Sequence, residues 1–111
     1  MRACVWLLSL MLLAGPAAAE RVYSGAEASA LRCANTLAFT AVTLARGKLI
    51  GDAEKEVMLG VTILILERHV SGTWREKKAA LEVMRDRRDL ETTLDDYQKN
   101  AARCLSRFPI N

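Results

Sequence analysis

Residues 57–66 read VMLGVTILIL, a block of ten residues in which eight are strongly apolar. Taken alone, residues 61–66 could form a β-strand, because they are rich in β-branched side chains. The flanking residues favour a helix instead, since the carboxylates of Glu54 and Glu56 precede the block and basic side chains follow it. This order of charges suits the two ends of a helix dipole. The pattern predicts a helix over residues 53–70.

The apolar side chains of this predicted helix point in every direction around its axis. A helix that is apolar all round normally needs cover on every side, so we expect it to be the central helix of the fold. Its neighbours in a small domain provide limited cover. We therefore also expect part of it to pack against a second copy of the chain or another protein, with Leu59, Ile63 and Leu66 as contact residues.

The start of the chain has the order of features that is typical of a secretory signal peptide. Arg2 is followed by an apolar run at residues 5–13 and by small residues up to Ala19. We predict that residues 1–19 are cleaved and that the protein is exported, either to the periplasm or out of the cell. A retained membrane anchor is the alternative, but the run is shorter than the ~20 residues that span a bilayer. We expect no transmembrane segment after cleavage.

The remainder, residues 20–111, has the length of a single small domain. Cleavage removes one of the 16 basic side chains and none of the 13 acidic ones, which lowers the net charge from +3 to +2. This balance argues against a nucleic-acid partner, which normally requires a clustered basic surface. Cys4 is lost with the signal peptide. Cys33 and Cys104 remain, and in an oxidising compartment we expect them to form a structural disulfide.

Apolar spacing and helix-end residues predict four helices. The first and third begin at capping boxes of the types S-x-x-E and T-x-x-E, which start at Ser24 and Thr73. Asp52 is the expected N-cap of the second. The predicted helices cover residues 25–46, 53–70, 74–89 and 93–107.

The break between helices 3 and 4 is inferred from the phase of their apolar residues. In one continuous helix, Leu81 would lie nearly opposite Leu90, at about 100° per residue. A break within residues 89–93 removes this conflict, with Thr92 or Thr93 as the new N-cap and with Asp95 and Asp96 in the first turn. The result is an all-α fold, a small antiparallel bundle of four short helices. Its up-down-up-down order brings the start of helix 1, with one cysteine, beside the end of helix 4, with the other.

No set of residues predicts a catalytic, metal or cofactor site. His69 is the only histidine, and a zinc site would need further nitrogen or sulfur ligands. Non-covalent haem bound by His69, Met58 or Met84 is an alternative, but the methionines are better explained as core residues. A nucleophile with an activating base is not evident. We therefore expect a protein that is not an enzyme and that binds no cofactor or metal.

Helix 3 concentrates basic side chains, among them Arg85, Arg87 and Arg88, with acidic residues between them. Such a pattern is typical of a solvated face. The alternative is a docking surface for an acidic partner or for anionic lipid headgroups. Trp74, at the start of helix 3, is expected to be a core anchor, whereas an exposed Trp74 would suit an interface.

Together these observations favour a small exported, non-catalytic interaction protein. A periplasmic accessory subunit, an inhibitor or immunity-type binder and a chaperone-like protein all belong to this class. The alternative is an envelope-stress or structural protein that acts at the membrane surface.

Overall fold

The structure is a computed structural model that describes residues 21–111, so the predicted signal peptide, residues 1–19, lies outside the described residues. The described chain forms four α-helices: α1 Gly25–Arg46, α2 Asp52–His69, α3 Trp74–Arg87 and α4 Leu90–Arg107. Residues 21–111 contain no strand. The predicted all-α bundle of four helices is confirmed, and residues 61–66 lie within α2. None of the four helices combines the length and apolarity needed to cross a membrane.

α1 is the helix on which the other three pack. Its contacts with α2, α3 and α4 are the extensive helix–helix contacts of the fold. Ala30, Ala34 and Ala41 of α1 are completely buried. Because an alanine side chain is a single methyl group, neighbouring helices can approach the α1 backbone closely at these positions. α1 is therefore surrounded on several sides without carrying many large side chains.

The prediction that helix 2 is central is wrong. Within α2, only Thr62, Ile65 and Leu66 are buried. α3 and α4 pack on α1 rather than on α2, so the side of α2 that faces away from α1 receives little cover from the described residues. The helix is apolar all round, as predicted, but apolar residues such as Val57 and Ile63 are exposed.

The direction of each helix follows from contacts near its ends. The Tyr23 hydroxyl donates to the carbonyl oxygen of Ser71 at 2.8 Å, which places the start of α1 beside the α2–α3 connection. Cys33 and Cys104 form the predicted disulfide, with their Cα atoms 5.7 Å apart. α2 and α4 therefore run antiparallel to α1, and α3 runs parallel to it.

The core lies between the first half of α1, the second half of α2 and the end of the chain. His69 closes it at one end. Its ring meets the ring of Phe108 edge-on, with centroids 5.3 Å apart, and its Nε2 atom lies 2.7 Å from the carbonyl oxygen of Pro109. Because a carbonyl oxygen only accepts, Nε2 is the donor. The buried cluster consists of Ala30, Leu31, Cys33, Ala34, Leu37, Ile65, Leu66, Val70 and Phe108.

The capping box predicted at Ser24 does not form, although α1 begins as expected at Gly25. The Ser24 side chain makes no capping hydrogen bond. Glu27 instead accepts the backbone N–H of Ser71, a donor just beyond α2 that no helix carbonyl satisfies. Hydrogen bonds from Ser71 hold the pKa of Glu27 below its ordinary value. A tertiary contact has therefore replaced the local one.

The capping box at Thr73 forms as predicted. The backbone N–H of Glu76 donates to the Thr73 hydroxyl at 3.1 Å, and the Thr73 backbone N–H donates to Oε1 of Glu76 at 2.8 Å. At the start of α2, Gly51 rather than Asp52 is the N-cap. Glu54 accepts the Gly51 backbone N–H at 3.3 Å, so the helix begins one residue earlier than predicted.

α3 and α4 are separate helices, and the break falls at the start of the predicted interval. Asp89 is the N-cap of α4, and its Oδ1 atom accepts the backbone N–H of Thr92 at 2.6 Å. The expected N-cap at Thr92 or Thr93 is therefore wrong, because α4 begins three residues earlier than predicted and the Asp89 carboxylate caps it. The Thr93 hydroxyl donates to the backbone oxygen of Asp89 at 2.8 Å.

Removal of the disulfide is expected to destabilise the fold. The bridge between Cys33 and Cys104 closes a loop of about 72 residues, which on the chain-entropy model corresponds to about 4 kcal/mol. The variant Cys33→Ala/Cys104→Ala should lose most of this free energy of unfolding in urea denaturation followed by circular dichroism. Reductant should lower the stability of the wild type and leave that of the variant unchanged. Equal stability of the oxidised and reduced wild type would contradict the prediction.

Candidate interaction surface

The distal half of the α1–α2 hairpin, residues 42–61, is an arm with little cover, and we call it the hairpin arm. Buried residues of α1 end at Ala41 and those of α2 begin at Thr62. None of residues 42–61 is buried, although ten of these twenty are Ala, Val, Leu, Ile or Met. The hairpin arm thus presents apolar side chains that the described fold leaves partly or fully in water.

The arm is uncovered because α3 and α4 reach only part of the way along α1. α3 starts beside the first residues of α1, and the residue that follows it, Arg88, reaches the hydroxyl of Thr36. α4 enters the bundle at a similar level, since Asp96 also contacts Thr36, at 3.2 Å. The second half of α1 therefore has α2 as its only extensive neighbour among the described helices.

One side of α2 carries an apolar stripe that points away from α1. Ala53, Val57, Gly60 and Leu64 follow one another at intervals of four, three and four residues, the spacing of a helix seam. Val57 is 66% exposed. We call this stripe the α2 outer face. It lies opposite the three buried residues of α2, so it is available for a partner.

The three contact residues predicted on α2 do not share one surface. Ile63, 43% exposed, lies at the edge of the α2 outer face. Leu59 is half-buried and lies on the side of Thr62, which faces α1. Leu66 is 1% exposed and belongs to the core. Of these three residues, Ile63 alone is positioned to contact another molecule.

The interface residues predicted on helix 3 are also divided. Trp74 is half-exposed at the start of α3. Arg85 is exposed and pairs with its neighbour Asp86 at 3.2 Å, and Arg87 is exposed. The side chain of Arg88 is only 16% exposed, because it turns inward to an ion pair. Arg88 therefore helps to hold the bundle together and does not belong to an outer basic surface.

Asp96 is the centre of a polar network that joins α1 to α4. Its side chain is 10% exposed. It accepts hydrogen bonds from Arg32 at 3.3 Å, Thr36 at 3.2 Å, Arg88 at 3.3 Å and Asn100 at 2.6 Å. No local pattern in the sequence indicates this role, because a helix that starts at residue 93 places the Asp96 carboxylate in its first turn, where it suits the helix dipole. Because α4 starts at Leu90, Asp96 lies in the second turn, and its side chain faces Thr36 of α1.

The network also sets the protonation of Asp96. Burial disfavours the charged carboxylate, but hydrogen bonds from Asn100, Arg32 and Thr36, together with the charge of Arg32, outweigh burial and hold the pKa of Asp96 below its ordinary value. Asp96 is therefore a charged carboxylate with a structural role, and its hydrogen-bond donors come from α1, from α4 and from the residue that follows α3. A group so fully engaged is unsuited to act as a general base.

A groove of about 270 Å³ lies between α1 and α4 beside the disulfide. Arg32, Arg103 and Arg107 contribute cations to it, and Ser29 contributes a hydroxyl. Its carboxylate, Asp96, already belongs to the network. The groove therefore has a cationic rim but no activated nucleophile. Among residues 21–111, no group of three or more His, Cys, Asp or Glu side chains is placed to hold a metal ion.

Comparison of this chain with protein-family models, with curated proteins and with solved structures finds no match. The features of the described residues that bear on function are the exposed apolar surface of the hairpin, the polar network and the groove.

Neutralising Asp96 is expected to destabilise the protein in a pH-dependent way. Folding lowers the pKa of Asp96, so the Asp96 carboxylate stabilises the folded state fully at a pH above its unfolded-state pKa of about 3.9. This stabilisation is lost as the pH falls through the lower pKa that Asp96 has in the folded state. At neutral pH, Asp96→Asn should lower the free energy of unfolding by about 2 kcal/mol.

Urea denaturation between neutral and acidic pH measures this difference, which should shrink below about pH 4. Asp95→Asn is the matched control. Its carboxylate pairs with Lys99 on the surface at 3.0 Å, and loss of such a pair changes stability by at most ~0.5 kcal/mol. Equal effects of the two substitutions at neutral pH would contradict a structural role for the network.

Proposed function

We propose that the chain is a small exported, non-catalytic interaction protein that binds another protein through the hairpin arm and the α2 outer face. The observation that carries this proposal is the absence of buried residues between positions 42 and 61, in a segment that is half apolar. Large exposed apolar surfaces mark interaction sites in folded proteins.

The size of the surface suits a protein partner. A standard interface buries about 800 Å² on each partner and involves about 20–30 residues a side. The hairpin arm provides twenty residues, and the α2 outer face continues it to Leu64. Covering apolar surface contributes about 25 cal/mol per Å², so a partner that covers these side chains would bind mainly through the hydrophobic effect.

The rest of the chain supports this role by fixing the base of the hairpin. The disulfide between Cys33 and Cys104 and the hydrogen bonds of Asp96 fix α4 to the first half of α1. A binding surface that is already ordered loses less conformational entropy when a partner docks. The arm is thus presented on a scaffold that is fixed at its base.

Two observations support export. The start of the chain has the features of a secretory signal peptide, and a structural disulfide persists in oxidising compartments. The periplasm and the extracellular space are both compartments of this kind.

We expect the exported protein to begin at Glu20, because cleavage after Ala19 follows the small-residue motif. N-terminal sequencing of the protein recovered from outside the cytoplasm measures this. A first residue of Met1 would contradict the assignment of a signal peptide.

A second candidate is a protein that acts at the membrane surface. Trp74 is half-exposed at the start of α3, and Lys78 and Arg85 follow it at intervals of four and seven residues on the same side of the helix. Tryptophan is enriched at membrane interfaces, and basic residues are attracted to anionic headgroups. This side of α3 is distinct from the α2 outer face, so the two candidates predict different effects of substitution.

Binding of a protein partner should depend on the α2 outer face. Val57→Glu places a charge in the exposed stripe and should abolish stoichiometric capture of a protein from periplasmic extract, or abolish self-association. The matched control is Leu105→Glu, at another exposed apolar residue, on α4; it should leave binding intact. Circular dichroism checks that both variants remain folded.

The same preparation tests the second candidate. A function at the membrane surface predicts association with anionic vesicles that is lost at high salt and in the variant Trp74→Ala/Arg85→Gln. If the protein shows this association and neither captures a protein nor self-associates, the second candidate replaces the proposal.

A further inference from the structure

Gly60 is an unexplained residue at the middle of the α2 outer face. Glycine in the interior of a helix costs about 1 kcal/mol relative to alanine. A Cβ atom built at Gly60 would meet no atom within 4 Å, so packing within the described chain does not require a glycine there. A glycine on an apolar helix face allows the backbone of another helix to approach closely. Contact with another molecule would therefore explain the glycine at position 60, which contacts within the single chain do not.

On one edge of the stripe the charges are arranged so that this edge complements itself. Glu54, Val61 and Arg68 are spaced by seven residues and therefore lie along one edge of the α2 outer face. If two copies of α2 pack face to face and antiparallel, this edge meets the same edge of the other copy. Glu54 of each copy then lies beside Arg68 of the other, on either side of a crossing near Gly60 and Val61.

This pairing has the symmetry that a two-fold dimer requires. In such an interface residue i contacts residue j of the other copy, and residue j contacts residue i. Glu54 and Arg68 of one chain cannot pair with each other, because fourteen residues of helix separate them by about 21 Å. Both side chains belong to exposed residues, and Arg68 makes none of the ion pairs found within residues 21–111.

The same charges argue against a lipid surface as the occupant. Glu54, Glu56 and Glu67 all flank the α2 outer face, and Arg68 is the one cation beside it among the described residues of α2. Anionic headgroups repel carboxylates. A second copy offers each Glu54 carboxylate an arginine, and on the opposite edge it brings Glu56 beside Glu67 of the other copy. The attraction between the two copies therefore comes from the Glu54–Arg68 edge and from the apolar stripe.

From these observations we propose that the α2 outer face binds a second copy of this chain, with the two α2 helices antiparallel and crossing near Gly60. The two hairpins then form an intermolecular four-helix arrangement that covers Val57 and Leu64. The inference rests on the proposed function, because it names the partner of the surface assigned there.

The oligomeric state of the exported protein tests the proposal. Light scattering coupled to size-exclusion chromatography, over a wide range of concentration, should give twice the monomer mass at high concentration. Gly60→Gln should raise the dimer dissociation constant at least about 100-fold, equivalent to about 2.8 kcal/mol, because it places a long side chain at the crossing. The space at Gly60 is open in the single chain, so helicity should be unchanged. Ala102→Gln, at an exposed position on α4, is the matched control and should remain dimeric.

A charge exchange tests the predicted contact directly. Glu54→Arg and Arg68→Glu should each weaken the dimer, because each places like charges together. The double variant Glu54→Arg/Arg68→Glu should recover dimer formation, since it restores opposite charges across the interface. A dimer that is insensitive to Gly60→Gln and to the single charge substitutions would overturn the proposal.

A protein that is monomeric at every concentration would also overturn the proposed dimer. The capture experiment with Val57→Glu then tests the proposed function separately. If Val57→Glu still abolishes capture of another protein, the surface is an interaction site with a different occupant. If no protein binds the monomer, the proposed function fails as well.

Discussion

The fold depends on the close packing of three helices around the first half of α1. Ala30 and Ala34 are fully buried there, and their small side chains allow neighbouring helices to lie near the α1 backbone. The disulfide then fixes α4 at Cys33, and the Asp96 network fixes it again at Thr36, about one turn further along. The charge of Asp96 is tolerated at this partly buried position because its donors satisfy it from several sides.

The uncovered hairpin arm is a direct consequence of that packing. α1 has 22 residues and extends about 33 Å, whereas α3 has 14 residues and extends about 21 Å. Since α3 starts at the same end of the bundle as α1, it stops well before α1 ends. α2 alone accompanies α1 over the remainder. The apolar surface of the arm therefore follows from the unequal lengths of the helices, and a second copy of the hairpin would supply the two helices that are lacking there.

The features that the sequence predicted well are those with local causes. The bounds of α1 and the capping box at Thr73 depend on residues within a few positions of one another. The break before α4 followed from the phase of apolar residues. The disulfide was predictable because the predicted signal peptide contains Cys4 and leaves two cysteines, which the alternating helix directions bring to the same end of the bundle.

The features that were missed depend on contacts distant in the sequence. Glu27 was expected to cap its own helix, but it binds the Ser71 amide 44 positions away. Asp96 was assigned to the start of a helix, but two of its donors, Arg32 and Thr36, lie on α1, at least 60 positions away. The sequence predicts the wrong central helix because apolar character all round α2 does not ensure burial, whereas the small residues of α1 allow three helices to pack on it.

Amide hydrogen exchange measured at low and high protein concentration tests most directly whether a second copy covers the α2 outer face. The exchange of residues 53–64 should slow as the concentration rises, while that of α3 should stay constant, because α3 is outside the predicted contact. Exchange of residues 53–64 that is the same at both concentrations would contradict a self-complementary interface on α2.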